Sequence, residues 1–229
     1  MRNESGDGGI CKLWIFFFLF ASACVIRFFY VLLQTGKPSK VRPSKPLSSL
    51  IVLGSGGHTA EMMNILNLLP KENFAPRYYI AAATDNMSLQ KARAFEDSLP
   101  PSHNKNNQGS GHFMQIYRSR EVGQSYITSI GTTLIATVHA VWLMLRIRPE
   151  VVICNGPGTC VPLCLMAFIL KVVGIKWSYI MYVESIARVR RLSLSGILLY
   201  KLRIVDQLYV QWPQLQAKYP RAVYVGCLM

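Results

Sequence analysis

Residues 49–63 read SLIVLGSGGHTAEMM, and this stretch decides the fold. A short apolar strand leads into a glycine-rich turn, Gly54 to His58, and a helix opens at once after it. Such a turn leaves the first backbone N–H groups of the helix pointing into a hollow of positive potential, which suits a phosphate or diphosphate. The stretch therefore predicts an α/β protein that handles a nucleotide or a phospholipid.

The composition limits the number of domains and the classes of partner. With 229 residues, 51% of them hydrophobic, the chain has material for one core of ordinary size and an appendage. The formal net charge of +14 suits nucleic acid, an anionic membrane surface or a phosphorylated substrate. No RNA-binding aromatic pattern, zinc spacing or basic recognition helix accompanies the charge, so we expect no nucleic-acid partner. The six cysteines have neither disulfide-framework nor metal-binding spacing, which favours a reducing compartment.

The N-terminal part carries a segment with the character of a membrane helix. Residues 13–33 are apolar apart from Arg27, and their length matches the hydrocarbon thickness of a bilayer. A cleaved signal peptide is the alternative, because Ala21-Ser22-Ala23 resembles a cleavage site. The apolar run continues past Arg27, and Glu4 and Asp7 spoil a basic N-terminal region, so we favour an uncleaved anchor.

The charges on either side of this segment predict its orientation. Basic residues follow the segment, and the sequence between its end and Glu61 has no acidic residue. The positive-inside rule therefore places the bulk of the chain in the cytosol. Arg27 then lies near the cytosolic end, where it can snorkel to the interface. The predicted parts are a lumenal N-terminus at 1–12, a transmembrane helix at 13–33, a basic Pro-containing tether at 34–49 and a cytosolic domain at 50–229.

From residue 50 onward, strand-like runs alternate with helical stretches, which predicts a parallel sheet covered on both faces. The predicted strands are 50–53, 77–83, 113–117, 151–154, 177–183, 207–210 and 223–225. The predicted helices are 59–69, 87–99, 124–147, 161–173, 193–202 and 213–219.

Two later segments, 127–145 and 151–170, contain no charged residue, so a second and a third membrane span are an alternative to this soluble arrangement. The second segment is broken by Asn155-Gly156-Pro157-Gly158. We interpret both as buried or surface-lying helices of a Rossmann-like domain, touching lipid from one face at most.

The first glycine turn is neither a P-loop, since it lacks Gly-Lys-Ser/Thr, nor the dinucleotide fingerprint, since Thr59 occupies the third glycine position. ATP and NAD are therefore disfavoured. A tight strand-to-helix connection with a surface histidine explains the glycines equally well. If the turn binds a ligand, His58 stands beside a helix N-terminus, where it suits a general base or a phosphate donor.

A second stretch, VICNGPGT at residues 152–159, repeats the order of strand, glycine-rich turn and helix. Open α/β sheets bind ligands outside the carboxyl ends of their strands, so two such turns would line one crevice. One such turn is common, whereas two favour a binding site.

Other charged residues stand at predicted strand ends. Glu184 ends a third strand near the same edge and suits either a catalytic role or helix capping. Arg188, Arg190 and Arg191 follow it and suit either a diphosphate or a solvated surface. Asp85 precedes a helix, and we interpret it as a cap.

Taken together, the motifs LGSGGHTAEM, RSREV, CNGPGTCVP, YVESIARV, LSLSG and QWPQL followed by KYP resemble one family, the membrane-anchoring subunit of the UDP-N-acetylglucosamine transferase of asparagine-linked glycosylation. The resemblance runs from residue 50 to the C-terminus. That family adds the second N-acetylglucosamine to dolichyl-diphosphate N-acetylglucosamine on the cytosolic face of the endoplasmic reticulum. It is related to the bacterial glycosyltransferase that makes lipid II, whose two Rossmann-like halves hold acceptor and donor separately.

The resemblance implies an α/β fold with a Rossmann-like parallel sheet, the N-terminal half of a GT-B glycosyltransferase, preceded by one transmembrane helix. The bacterial chain continues beyond the position of Tyr224-Val225-Gly226 into a donor domain, and this sequence stops at Met229. The resemblance therefore implies a separate soluble cytosolic catalytic subunit that carries the UDP-sugar site. Recruiting that subunit is then a task of this chain, and we expect Cys227, Leu228 and Met229 to dock it.

The resemblance also implies the roles of the site. We expect His58 to be the catalytic base, with Glu184 as the second candidate, and we expect neither a metal nor a cofactor because no DxD-like carboxylate pair is present. The predicted residues that bind the acceptor diphosphate are Gly54, Ser55, Gly56, Gly57, Thr59, Asn155, Gly156, Gly158 and Thr159. A self-sufficient lipid-modifying enzyme with several membrane spans and a purely structural anchor remain the alternatives.

Overall fold

Seven parallel strands form one sheet in the computed structural model, which describes residues 7–37, 45–99, 111–117, 125–156 and 158–228. β-Branched and aromatic residues dominate the strands, as expected of strands covered on both faces. The strands are β1 (Ser49–Val52), β2 (Arg77–Ala82), β3 (Gly111–Ile116), β4 (Val151–Asn155), β5 (Tyr179–Val183), β6 (Gln207–Val210) and β7 (Ala222–Tyr224).

Seven α-helices accompany the sheet within the same residues: α1 (Asp7–Gln34), α2 (Gly57–Leu68), α3 (Asn86–Asp97), α4 (Tyr126–Ile147), α5 (Cys160–Val173), α6 (Leu194–Lys201) and α7 (Pro213–Lys218). A 3-10 turn, Lys71–Asn73, lies between α2 and β2.

The order of the strands across the sheet is β3-β2-β1-β4-β5-β6-β7. Val52 of β1 lies opposite Ile80 of β2 on one side and opposite Cys154 of β4 on the other. The chain therefore winds in one direction from β1 to β3, then returns to the other side of β1 to continue from β4. Such a sheet has its topological switch point between β1 and β4, where the loops that leave these two strands part to opposite faces and open a crevice.

Two hydrophobic clusters cover the two faces of the sheet. One cluster includes residues of α2 and α3, such as Met62 and Leu89. The other includes residues of α4, α5, α6 and α7, and it also includes Val31 near the end of α1. The layers α2–α3 and α4–α7 thus lie on opposite faces, and the last turns of α1 pack on the second layer.

The contact between α1 and α5 is specific. Phe28 packs edge-on against Phe168 with ring centroids 6.1 Å apart, and Arg27 Nε donates a hydrogen bond of 3.3 Å to the carbonyl oxygen of Lys171 near the C-terminal end of α5. Tyr30 packs against Trp177 in the same way. Arg27 was expected to snorkel towards headgroups; it instead binds a helix end, where the partial negative charge of the carbonyl groups attracts a cation.

From residue 49 onward, the sequence predicted every described strand and α-helix with ends within two residues of those observed, and it missed the 3-10 turn. The interpretation of the two uncharged segments as domain helices is confirmed, because α5 is largely buried and α4 buries Ala140, Leu143 and Met144 against the sheet. Among the described residues, one helix stretch, Lys12–Gln34, is long and apolar enough to cross a membrane. The division into a tether and flanking parts stays a prediction, and residues 38–44 of that tether lie outside the described residues.

Candidate ligand-binding crevice at the β1–β4 switch point

Both glycine-rich turns lie at the switch point of the sheet. The first connects β1 to α2 and the second connects β4 to α5, and β1 and β4 are hydrogen-bonded neighbours. The two turns therefore stand side by side at the carboxyl edge, each leading into the N-terminus of a helix of at least 12 residues. The predicted proximity of the two turns at one edge of the sheet is confirmed.

Glycine is required at one position of each turn. Gly56 has φ +62° and ψ −119°, a combination that residues with a Cβ atom rarely adopt, and Gly156 has φ +67°. A Cβ atom at Gly156 would lie 2.5 Å from Cε1 and 2.8 Å from Nδ1 of His58. The second turn thus makes room for the imidazole that the first turn presents.

His58 joins the two turns through a hydrogen bond. Its Nδ1 lies 3.0 Å from Oδ1 of Asn155, the last residue of β4. Asn155 Nδ2 donates to Oε2 of Glu61 at 2.9 Å, and Ser185 Oγ donates to Oε1 of Glu61 at 2.8 Å. Glu61 and Asn155 are buried, while His58 is half-buried at the crevice. One chain of hydrogen bonds therefore links the segments that follow β1 and β5 to the end of β4, and it engages Nδ1 of the half-buried imidazole.

Thr59 supports the first turn from behind. Its hydroxyl donates to the carbonyl oxygen of Gly54 and lies 2.6 Å from Ser88 Oγ. Ser88 in turn donates to Asp85 Oδ2 at 2.6 Å, and Asp85 caps α3 by accepting from the backbone N–H of Ser88. The interpretation of Asp85 as a cap is confirmed.

Two members of the predicted diphosphate site have side chains that support the turns. The side chains of Thr59 and Asn155 are buried and their polar atoms are engaged within the protein, while the binding of a ligand by these residues stays a prediction. The groups that do face outward belong to Ser55, Gly56 and Gly57 in the first turn and to Gly158 in the second.

The hydroxyl of Thr159 makes no hydrogen bond within the described part of the chain. The residue is 7% exposed, stands at the N-terminus of α5, and its Oγ1 has no hydrogen-bond partner among the described residues. A buried polar atom without a partner is disfavoured by about 1–3 kcal/mol. An oxyanion bound at this helix end would supply the missing acceptor.

Glu184 lies away from the crevice surface. It is fully buried; its Oε2 accepts from the backbone N–H and the hydroxyl of Ser193 at 2.9 and 3.0 Å, and its Oε1 accepts from the backbone N–H of Ser185 at 3.2 Å. Burial raises the pKa of Glu184, although these hydrogen bonds and the charge of Arg188 act in the opposite direction. The carboxylate of Glu184 therefore fastens the 185–193 loop; its role as a base stays a prediction, which this burial disfavours.

The three arginines of that loop, Arg188, Arg190 and Arg191, are exposed. The first two residues of the loop are held near the crevice, because Ser185 binds Glu61 and Trp212 Nε1 donates to the carbonyl oxygen of Ile186 at 2.7 Å. Its positive charge therefore stands beside the crevice.

At the C-terminal end, Cys227 is exposed and Leu228 is half-buried. The backbone N–H of Leu228 donates to Gln211 Oε1 at 3.0 Å, which holds the segment against the loop after β6. Met229, the third predicted docking residue, lies outside the described residues.

Sequence reasoning missed Glu61, Ser185 and Ser88. A signal for Glu61 was present, since it follows His58 by three residues and therefore lies on the same face of α2. Ser185 binds Glu61 of α2, 124 positions away, and Ser88 contacts Thr59 of α2, 29 positions away, so nothing local in the sequence identifies these two contacts.

The fold and the site define a class: a Rossmann-like α/β protein with two helix N-termini at one crevice and an N-terminal apolar helix. The family described as "Oligosaccharide biosynthesis protein Alg14 like" matches residues 49–228 of this chain. The chain belongs to that family.

Several relatives are similar along most of their length. The UDP-N-acetylglucosamine transferase subunit ALG14 of Mus musculus is 43% identical over 207 residues, which is 90% of this chain and 94% of the relative. The subunit of the same name from Homo sapiens is 45% identical over 190 residues, 81% and 85% of the two chains. That of Schizosaccharomyces pombe is 39% identical over 214 residues, 91% and 97% of the two chains.

Among solved structures, the crystal structure of MurG from Acinetobacter baumannii superposes with a TM-score of 0.49 at 16% sequence identity. The superposition covers 74% of this chain and 43% of that one.

Proposed function

We propose that this chain is the membrane-anchoring and acceptor-binding subunit of a heteromeric UDP-N-acetylglucosamine transferase. The complex adds the second N-acetylglucosamine to dolichyl-diphosphate N-acetylglucosamine, with the domain on the cytosolic face of the endoplasmic reticulum and the N-terminus in the lumen. The names of the relatives support a transferase subunit, and the apolar helix α1 supports membrane anchoring.

The observation that carries the proposal is the pairing of the two glycine turns at the switch point. Two helix N-termini point their unpaired N–H groups at one crevice, and a diphosphate has two phosphoryl groups to place there. The hydroxyl of Thr159 and the exposed backbone of Gly56, Gly57 and Gly158 supply donors. The arginines of the 185–193 loop add long-range attraction for the anionic headgroup.

His58 is the base in this proposal. Its imidazole stands between the two turns, so an acceptor whose diphosphate lies on the helix ends carries its sugar hydroxyl past the outward side of the ring. The imidazole takes the hydroxyl proton as the oxygen attacks the anomeric carbon of the donor sugar. The new C–O bond forms as the bond to UDP breaks, and the configuration at that carbon inverts. Glu184 and Asn155 take no part in the bond changes.

The donor site belongs to a soluble cytosolic partner subunit in this proposal. The exposed residues of β7 and of the segment after it, together with Cys227, Leu228 and Met229, form the docking surface for that partner. Exposed apolar side chains at Val223, Tyr224 and Val225 support this choice.

The proposal is tested with the full chain co-purified with its partner subunit in lipid nanodiscs, supplied with UDP-N-acetylglucosamine and a polyprenyl-diphosphate N-acetylglucosamine acceptor. We expect His58→Asn to lower kcat at least about 100-fold, the lower limit of general base catalysis, while acceptor KM changes little. His112→Asn is the matched control, because His112 is exposed on the outer strand β3 and stacks on Tyr78, away from the crevice.

Turnover of His58→Asn within a factor of ten of the unaltered complex would contradict the base assignment. If substitutions in both glycine turns also left acceptor KM unchanged, the chain would be a structural anchor. Either subunit assayed alone is expected to give no product.

A further inference from the structure

We infer that Glu61 and Asn155 are positioning residues that fix the proton of His58 on Nδ1 and so leave Nε2 as the basic nitrogen at the crevice. The inference rests on the proposed function, because it says which atom of His58 performs the proposed proton transfer. It concerns two buried residues, neither of which touches the substrate.

The direction of the hydrogen bonds follows from the chemistry of the groups. An ionised carboxylate only accepts hydrogen bonds, so the side-chain atom of Asn155 that lies 2.9 Å from Glu61 Oε2 is the amide nitrogen. The amide oxygen then faces His58 at 3.0 Å, and it too only accepts. The imidazole nitrogen at that position, Nδ1, must therefore carry the proton.

Glu61 is itself held in place. It is 6% exposed, and Ser185 Oγ donates to its second oxygen at 2.8 Å from the end of β5. The carboxylate is thus held by the segment that follows β5, and it cannot rotate without losing this bond. The orientation of the Asn155 amide therefore depends on how α2, the end of β4 and the segment after β5 pack together.

The consequence for His58 concerns its other nitrogen. A neutral imidazole has one protonated and one unprotonated nitrogen, and the hydrogen bond made by one decides the state of the other. A free histidine side chain favours protonation of Nε2, which would place a donor at the crevice. The arrangement of Glu61 and Asn155 reverses this preference and presents a lone pair on a ring that Gly156 supports from one side.

The test is ring ¹⁵N NMR of the full chain labelled on histidine, in complex with the partner subunit in nanodiscs, above the pH at which imidazoles are charged. The chain has four histidines, and His58→Gln identifies the signals of His58. We expect Nδ1 to be protonated and Nε2 to be unprotonated in the unaltered complex.

Two substitutions of Glu61 separate positioning from folding. Glu61→Ala leaves the Asn155 amide free to turn its NH₂ group towards His58, so we expect His58 to change to the Nε2–H form and turnover to fall at least tenfold. Glu61→Gln keeps an oxygen that can accept from Asn155, while Ser185 changes from donor to acceptor. We expect it to restore the Nδ1–H signal, with turnover between those of Glu61→Ala and the unaltered complex.

Glu96→Ala is the matched control for removing a glutamate whose side chain is largely covered, since that of Glu96 is 8% exposed. Glu96 accepts hydrogen bonds from Arg77 at 2.7 Å and from Tyr79 at 2.6 Å, far from the crevice on the α3 side of the sheet. We expect a lower unfolding temperature and an unchanged His58 signal. Loss of the Nδ1–H signal in Glu96→Ala would mean that lower stability of the domain is enough to move the His58 proton from Nδ1. That result would overturn the inference.

An Nε2–H signal in the unaltered complex overturns the inference, even if His58→Asn abolishes turnover and the proposed function stands. An unchanged Nδ1–H signal in Glu61→Ala also overturns it. If the signals behave as expected but His58→Asn remains active, the proton assignment is upheld and the base role in the proposed function fails.

Discussion

At Gly156 the two glycine turns approach so closely that an added methyl group would meet the side chain of His58. Its φ of +67° is disfavoured for alanine by about 1–2 kcal/mol, and the added Cβ would overlap the His58 ring. We expect Gly156→Ala to displace the imidazole and to lower the turnover of the complex at least tenfold. We also expect a modest fall in the unfolding temperature. Steady-state assays and thermal unfolding of the same preparation measure the two effects.

Gly131→Ala is the matched control for Gly156. Gly131 lies within α4, has no atom within 4 Å of a built Cβ, and has no positive φ. Alanine there should leave turnover unchanged and raise the stability of the helix by up to about 1 kcal/mol. Unaltered turnover of Gly156→Ala would show that the position of His58 against the second turn has no role in the reaction.

Glu184 and Glu61 show which residue roles a sequence can reveal. Both are buried glutamates, and each binds Ser185 after the end of β5. The sequence singled out Glu184 because it ends a strand at the expected edge, but it could not show that Ser185 and Ser193 occupy both carboxylate oxygens. It passed over Glu61, whose partners lie 94 and 124 positions away along the chain. Strand ends can be located from local patterns, whereas the partner of a buried polar group depends on tertiary packing.

At the scale of elements, the edge strand β7 is the feature that bears on the partner subunit. Within the described residues β7 pairs with β6 alone, and Val223, Tyr224 and Val225 are exposed. An edge strand with exposed apolar side chains is a template for association with another chain. The segment after it is held against Gln211, so the edge and the segment present one continuous surface.

We expect Val223→Asp with Val225→Asp, and separately the deletion of residues 227–229, to reduce co-purification of the partner subunit at least tenfold. Charged groups placed in an apolar contact must be desolvated, which opposes binding. His112→Asp on β3, the opposite edge of the sheet, is the control and should leave recovery of the partner unchanged. Undiminished recovery with both altered chains would place the partner elsewhere.

The elements themselves were the most predictable part of the molecule. Short apolar runs such as residues 50–53 and 151–154 predict buried strands, and nearby glycine or proline residues mark where these strands end. The 3-10 turn Lys71–Asn73 has no such periodicity and was missed. The role of Arg27 was also beyond local patterns, because an arginine near a membrane surface can bind headgroups or a helix end, and the choice depends on how α1 packs against α5.

At the scale of the whole molecule, we expect the docking of α1 on α5 to set how deep the domain lies in the membrane. From Arg27 onward α1 packs on the domain, so the free apolar part runs from Lys12 to Ile26. Fifteen residues of helix span about 22 Å, whereas the hydrocarbon core is about 30 Å thick. We therefore expect the domain surface around this junction to enter the interface.

The surface formed by α4, α5 and α6 has the apolar and basic side chains that suit a membrane interface. Exposed apolar side chains cover it, and from residue 126 onward the sequence has three acidic residues, of which Glu184 and Asp206 are buried. The apolar residues are Leu134, Ile135, Val138, Trp142, Leu145, Ile169, Leu194, Leu198 and Leu202. The basic residues near them are Arg146, Arg148, Lys176, Lys201 and Arg203. An apolar face with a basic border binds an anionic bilayer surface through both burial and charge.

We expect Trp142, 51% exposed on α4, to be quenched by brominated lipids when the full chain is reconstituted with its other tryptophans replaced by phenylalanine. Leu68→Trp in a Trp142→Phe background is the control, because Leu68 is 66% exposed on α2, on the opposite face of the sheet. Quenching at position 142 should exceed that at 68 severalfold and strengthen with the fraction of anionic lipid, since about 1 kcal/mol of attraction comes from each basic residue near a charged surface. Equal quenching at the two positions would mean that the domain stands clear of the bilayer, and the short free span of α1 would then have to be matched by local thinning of the membrane.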